Sequence, residues 1–193
     1  MPGFSKDLNN RFSKQWETMR GEGLGNLANK RHSTVIQQPI KKSKKQNKGL
    51  SLEKIEKILN CCKSFIGCYA SDQLENLSIT FFPCTLIVNT DKLGMAGSHW
   101  ICFRISKRKV ELFDSLGLIY ENKLPIEILR FIQRFAVSRT FKFNRRLQPD
   151  SSILCGFYCI FFIFLRQFCS FSNIQSMFSE PTKNDELIIK FFK

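Results

Sequence analysis

The sequence predicts an α+β domain behind a basic N-terminal tail. Three patterns predict it: two adjacent alternating stretches near residues 100–113, a thirteen-residue apolar run from Ile153 to Leu165, and amphipathic helical spacing on either side. A chain of 193 residues suits one such domain plus a tail and can bury a real core. Twenty phenylalanines make that core aromatic-rich.

Residues 1–49 form the tail. The first fifty residues hold eleven Lys and Arg against three Asp and Glu, a net +8, with Asn, Gln and Ser and few apolar residues. Such a segment cannot bury enough surface to offset its ordering entropy and is expected to be disordered. Lys41, Lys42, Lys44 and Lys45 cluster within five positions, as in a nuclear signal or a polyanion contact. The net charge of +14 predicts attraction to DNA, RNA or acidic surfaces.

The domain, residues 50–193, begins at Ser51, an N-cap for a helix on which Leu52, Ile55, Ile58, Leu59 and Cys62 share a face. A loop bearing Gly67 follows, then an extended or irregular stretch around Phe81 to Val88, interrupted by Pro83. Trp100 to Ile105 and Val110 to Phe113 read as antiparallel strands joined at the polar Ser106-Lys107-Arg108-Lys109. Pro125 opens a helix with Ile128, Leu129, Ile132 and Phe135 apolar. Arg139 to Phe143 reads as a strand. Cys155 to about Cys169 is a helix so uniformly apolar that it must run through the centre, and a last helix starts after Pro181 with Thr182 as cap. The apolar run is shorter than the roughly 18 residues a membrane span needs, so no membrane insertion is expected.

Eight cysteines without an apolar leader point to free thiols in a reducing compartment. Cys61-Cys62 and Cys155-x-x-x-Cys159 lack paired zinc-ligand spacing, and no metal is expected. Cys155 starts the central helix, where unpaired N–H groups and the helix dipole favour a thiolate. Gly156 beside it leaves room for a peptide backbone. Taken alone, Cys155 could equally be a buried structural cysteine like Cys159. His99 is the only histidine outside the tail and follows Gly94-Met95-Ala96-Gly97, so it can serve as proton acceptor. Asp114 ends the second strand. Antiparallel pairing brings that end back beside His99, where a carboxylate orients an imidazole. Before Ser115-Leu116-Gly117, Asp114 could also be a plain turn residue. Gln148, seven residues before Cys155, supplies an amide donor for an oxyanion, alongside the Cys155 N–H.

Together, Gly97-Ser98-His99-Trp100, Leu112-Phe113-Asp114-Ser115-Leu116-Gly117 and Gln148-x6-Cys155-Gly156 resemble the adenovirus endopeptidase (adenain) family of cysteine proteases and its relatives in large DNA transposons. The resemblance runs from about Leu52 to Leu165 and includes Phe65-Ile66-Gly67-Cys68-Tyr69 and Cys84-x-Leu86-Ile87-Val88-Asn89-Thr90. It implies a papain-related fold of permuted order, with a central helix carrying the nucleophile against a mixed or antiparallel sheet. Cys155 is then nucleophile, His99 base, Asp114 its partner and Gln148 oxyanion donor. Ubiquitin-like-modifier proteases share these elements, but their glutamine usually stands one residue nearer the cysteine. Asp114 departs from the adenoviral glutamate, and no cysteine between Cys102 and Cys155 is available to tether an activating peptide.

The expected function is an endopeptidase that processes precursor capsid or core proteins, a monomer of the host nucleus and virion. No cofactor is needed for the chemistry itself, with DNA and a non-covalent activating peptide as the accessory factors the resemblance leaves. Non-specific duplex DNA would meet the tail and Lys107, Arg108 and Lys109. Met19-Arg20-Gly21-Glu22-Gly23 fits the family's cleavage pattern, placing a self-cleavage site between Glu22 and Gly23. The alternatives are a deubiquitinase-like isopeptidase and a non-catalytic basic DNA-packaging protein.

Overall fold

The computed structural model describes residues 49–193. Lys41, Lys42, Lys44, Lys45 and the Glu22–Gly23 bond lie outside the described residues, as does the tail whose disorder was expected.

Helix α1 (Leu52–Leu59) is capped by Ser51, whose hydroxyl accepts from the Lys54 N–H, and it buries Ile55 and Leu59. Strands β1 (Phe65–Ala70), β2 (Cys84–Asn89), β3 (Trp100–Ile105), β4 (Lys109–Phe113) and β5 (Thr140–Phe143) form one sheet in chain order. The β2–β3 and β3–β4 pairs are antiparallel; β1–β2 and β4–β5 are parallel. The sheet is therefore mixed and the domain α+β, as expected. Helix α2 (Ile126–Ala136) bridges β4 to β5, α3 (Cys155–Leu165) is central, and α4 (Phe171–Gln175) and α5 (Pro181–Phe191) close the domain.

Strand alternation sends side chains to two separate cores. Leu86, Val88, Ile101, Phe103, Val110 and Leu112 join Ile128, Phe131 and Ile132 of α2 in one cluster, with Phe103 edge-on to Phe131 at 5.1 Å. On the other face the Phe113 ring stacks on Phe162 of α3 at 4.5 Å. Every α3 residue except Phe157 is buried, because the sheet, α1 and α5 all pack against it. The helix that Cys155 heads is held from every side.

Four expectations change. Gly67 lies inside β1, at φ +132° and beside a register shift between Phe65 and Cys68, so the glycine serves a bulge within a strand rather than a loop. The central helix stops at Leu165, with Arg166 as its C-cap, and the short helix α4 follows separately. In α5 Pro181 is itself the first helical residue and Glu180 the cap, which suits a residue with no N–H to lose. Gly156 is buried, and a Cβ there would sit 3.0 Å from Leu50 Cβ and 3.4 Å from Ile55 Cδ1. Its missing side chain makes room for the domain's own N-terminal segment rather than for a peptide.

Candidate active site

His99 immediately precedes β3, Asp114 immediately follows β4, and Cys155 is the first residue of α3. Antiparallel pairing of β3 with β4 places the histidine and the carboxylate at the same end of the sheet. The backbone reaches His99 through a tight turn in which Gly97 has φ +83° and a Cβ would meet Asn89 Nδ2 at 2.9 Å. The His99 carbonyl then accepts from the Thr90 N–H at 2.9 Å, fixing the main chain below the ring.

His99 Nε2 meets Asp114 Oδ1 at 2.8 Å, with both side chains almost fully buried. That leaves Nδ1 as the ring nitrogen facing the thiol chemistry. Burial pulls the imidazole down, but hydrogen bonds and charge from Asp114 and Cys155 outweigh it and hold the ring up at about 9. Burial likewise pushes the Cys155 thiol up, and is overcome by the His99 imidazole and by main-chain hydrogen bonds at Trp100 and Gly156, leaving the thiol below 9.0. Both shifts run in the direction that favours a thiolate beside an imidazolium.

Asp114 is fixed from several directions. Oδ1 also accepts from the Leu116 N–H at 3.0 Å, and Oδ2 accepts from the Leu118 N–H at 2.6 Å. Its own N–H donates to Asn144 Oδ1 at 2.8 Å, while Asn144 Nδ2 donates to its carbonyl at 2.7 Å. The turn closes at Gly117, φ +66°, where a Cβ would lie 2.8 Å from the Arg146 main-chain nitrogen. Asp114 thus belongs to a turn and is also the histidine's partner.

Gln148 is buried in the loop before α3. Its Oε1 accepts from the Ser115 hydroxyl at 2.6 Å, and one Nε2–H donates to the Ser152 carbonyl at 2.8 Å. The amide orientation is therefore set, with its second N–H left for a ligand. Asn184 of α5 donates to the Leu147 carbonyl at 2.8 Å, anchoring the same loop. Cys155 N–H belongs to the first helical turn, where no intrahelical acceptor exists. The site thus brings His99, Asp114 and Cys155 into one interacting set, and Gln148 is tied to it through Ser115 and Ser152.

Asn144, Ser115 and Ser152 escaped the sequence reading. Ser115 stood within the quoted motif and could have been found there. Asn144 carries no local signal, since its partner Asp114 lies thirty residues away.

The other six buried cysteines, Cys62, Cys68, Cys84, Cys102, Cys159 and Cys169, all have thiols pushed up. Burial alone accounts for most of this; hydrogen bonding from Cys61 leads at Cys62. Among the described residues no group of three or more His, Cys, Asp or Glu is arranged to hold a metal ion, and no helix is long and apolar enough to cross a membrane. Lys107, Arg108 and Lys109 are exposed at the β3–β4 turn, the end of the sheet opposite to His99.

No family model and no curated protein matches the chain. Among solved structures it is similar to the crystal structure of the ASFV pS273R protease, with 28% identity and a TM-score of 0.41 over 56% of this chain and 43% of that one. It is also similar to the central domain of an uncharacterised Legionella pneumophila protein, Lpg1148, with 13% identity and a TM-score of 0.34 over 65% of this chain and 74% of that one. The chain spans less than half the length of the pS273R protease.

Proposed function

We propose that this protein is a cysteine endopeptidase. The observation that carries the reading is the buried 2.8 Å contact of His99 with Asp114 beside a thiol held below its ordinary value. The Cys155 thiolate attacks the peptide carbonyl carbon and forms a C–S bond. The resulting oxyanion accepts from the Cys155 N–H and from the free N–H of Gln148. The His99 imidazolium protonates the departing amine as the C–N bond breaks, leaving a thioester. Neutral His99 then takes a proton from water, whose oxygen attacks the thioester; the C–S bond breaks, releasing the carboxylic acid and restoring the Cys155 thiolate beside the His99 imidazolium. Asp114 keeps the ring oriented and stabilises its charged form throughout.

By the motifs' resemblance, the substrates are precursor structural proteins of a virus or related element, processed in the nucleus or particle. Duplex DNA is a non-specific partner, and a non-covalent peptide is the activator. Cleavage between Glu22 and Gly23 would release a shorter form.

Cys155→Ala tests the assignment. The variant should fold normally, shown by an unchanged far-UV spectrum and melting temperature within a few degrees, and should cleave no peptide of the Met/Ile/Leu-x-Gly-x-Gly type. Cleavage by this variant at the wild-type rate would end the proposal. A ubiquitin-type fusion cut faster than such peptides would make the enzyme an isopeptidase instead.

A further inference from the structure

The strands that carry His99 and Asp114 at one end form a cationic pocket at the other. A cavity of about 430 Å³ is lined by Arg104 of β3, Lys109 of β4 and Arg166 at the C-cap of α3. Ser106, Lys107 and Arg108 of the turn form its rim, and Phe82 and Pro83 make an apolar wall. At about 3.3 Å per residue, β3 alone separates it from His99 by about 17 Å.

The charge balance of the pocket is uneven. No lining residue is acidic. Beneath it, Glu111 is 1% exposed and is shared by two guanidinium groups. Arg166 takes both carboxylate oxygens, with Nε at 2.8 Å from Oε2 and Nη2 at 2.9 Å from Oε1, and spends Nη1 on the Cys169 carbonyl. Arg104 approaches the same carboxylate only to 3.8 Å, beyond hydrogen-bonding range, with its side chain 20% exposed. One carboxylate thus faces two half-buried cations, and three exposed cations surround them. Burial and the Arg166 charge both work against the charged form of Arg104, a cost that an incoming anion would relieve. A guanidinium that stays beyond hydrogen-bonding range of its carboxylate, in an open pocket rimmed by cations, presents donors suited to the tetrahedral oxygens of a phosphate.

We propose that this pocket is a phosphate-binding site, in which Arg104 and the Lys107-Arg108-Lys109 rim hold one phosphate group of a phosphate-bearing polyanion. It is separate from the thiol chemistry and does not rest on it. The ligand is either a nucleic-acid backbone or a free oligophosphate, and the recognising chemistry is the same for both. An occupant would bridge the far ends of β3, β4 and α3, the three elements that carry or adjoin His99, Asp114 and Cys155.

Calorimetric titration of the full chain with inorganic pyrophosphate tests the site. Wild-type protein should bind one equivalent. Arg104→Gln should weaken binding at least tenfold, and so should the triple Lys107→Gln, Arg108→Gln, Lys109→Gln variant, whose three positions are exposed and tolerate the change without misfolding. Neutralising Lys41, Lys42, Lys44 and Lys45 together should leave pyrophosphate affinity unchanged. A short DNA duplex that displaces pyrophosphate would identify the backbone of nucleic acid as the ligand. A duplex that leaves pyrophosphate in place would identify a free oligophosphate. No saturable binding by wild type, equal affinity in both pocket variants, or a loss that follows the tail lysines instead would overturn the proposal.

Discussion

At the head of α3, His99 and Asp114 meet at 2.8 Å with side chains 5% and 1% exposed; at its foot, Arg166 and Glu111 meet at 2.8 Å with side chains 16% and 1% exposed. By distance and burial these are nearly the same object. Their chemistry differs because an imidazole can give up its proton near neutral pH and a guanidinium cannot. At the head, a thiol stands beside the titratable partner, and the shifts of the two favour a thiolate–imidazolium pair. At the foot, the carboxylate is surrounded by fixed cations and can only hold β4 to α3. Buried ion-pair geometry therefore does not by itself mark a reactive site; a titratable member beside a thiol is what sets the head apart.

The largest break in this comparison is His99→Ala. Turnover should fall by about 10⁴-fold or more, as for loss of a base in related constellations. Alkylation of Cys155 by iodoacetamide at pH 7 should also slow, by up to about 100-fold, since a thiol with pKa near 9 is only about 1% ionised there. Equal alkylation rates in the two proteins would show that the helix dipole alone makes the thiolate.

Glu111→Gln tests the foot. Removing the carboxylate leaves the half-buried Arg166 and Arg104 without their counter-charge, at a cost of up to about 3 kcal/mol of stability in chemical denaturation. Cys155 alkylation per folded molecule should stay the same. A large loss of thiol reactivity with the stability unchanged would reverse the roles assigned to the two ends.

How much of this was visible in the sequence follows from how far each interaction reaches. The β3–β4 hairpin, the β5 strand and the buried helix were legible because alternation and apolar density are local signals, and His99, Asp114, Gln148 and Cys155 stood out through short motifs, whereas β1 read as a loop. The parallel pairing of β5 with β4 was not legible, because it depends on the crossover through α2. Asn144, at the end of β5, was hidden for the same reason. The basic pocket was half legible: Lys107, Arg108 and Lys109 are consecutive, but Arg166 enters from the far end of α3, where the chain shows only an arginine ending an apolar run. Gly156 was misread because the segment that covers it, Leu50, lies more than a hundred residues earlier.

Asp114→Asn sharpens the comparison through pH. His99 is held above its free value of 6.5, up to about 9, so its contribution to stability is complete below 6.5 and is lost as pH rises through about 9. Cys155 is depressed below 9.0, so its contribution is present above 9.0 and is lost as pH falls through its lowered value. Between those limits the pair holds the same number of protons as a neutral thiol and imidazole, and the two contributions oppose one another. Stability is thus nearly flat there, and activity is the more sensitive readout. The alkaline limb of kcat/KM should lie near pH 9 in the wild type, where the imidazolium is lost. In Asp114→Asn it should move down by about 1–3 pH units, the effect of removing an adjacent opposite charge. An unmoved limb would mean that Asp114 does not set the His99 charge.

The smallest effect on turnover belongs to Cys159, one helical turn beyond Cys155 and fully buried. Burial raises its thiol well above the ordinary value, and the nearby Cys102, Cys155 and Asp114 charges push the same way. Its Sγ donates to the Trp100 carbonyl at 3.4 Å, a separation too long for the shorter serine hydroxyl to bond without a shift. Cys159→Ser should therefore cost about 1–3 kcal/mol of stability, as burial of a poorly bonded hydroxyl does. Turnover and the pH dependence of Cys155 alkylation should stay at wild-type values. Two thiols on one helix, in one core and with opposite shifts, differ in their neighbours: Cys155 has His99 and first-turn N–H groups, and Cys159 has neither. If Cys159→Ser instead lowered Cys155 reactivity tenfold, the thiolate would depend on the packing of the whole helix head, and the partner-based account of its ionisation would fail.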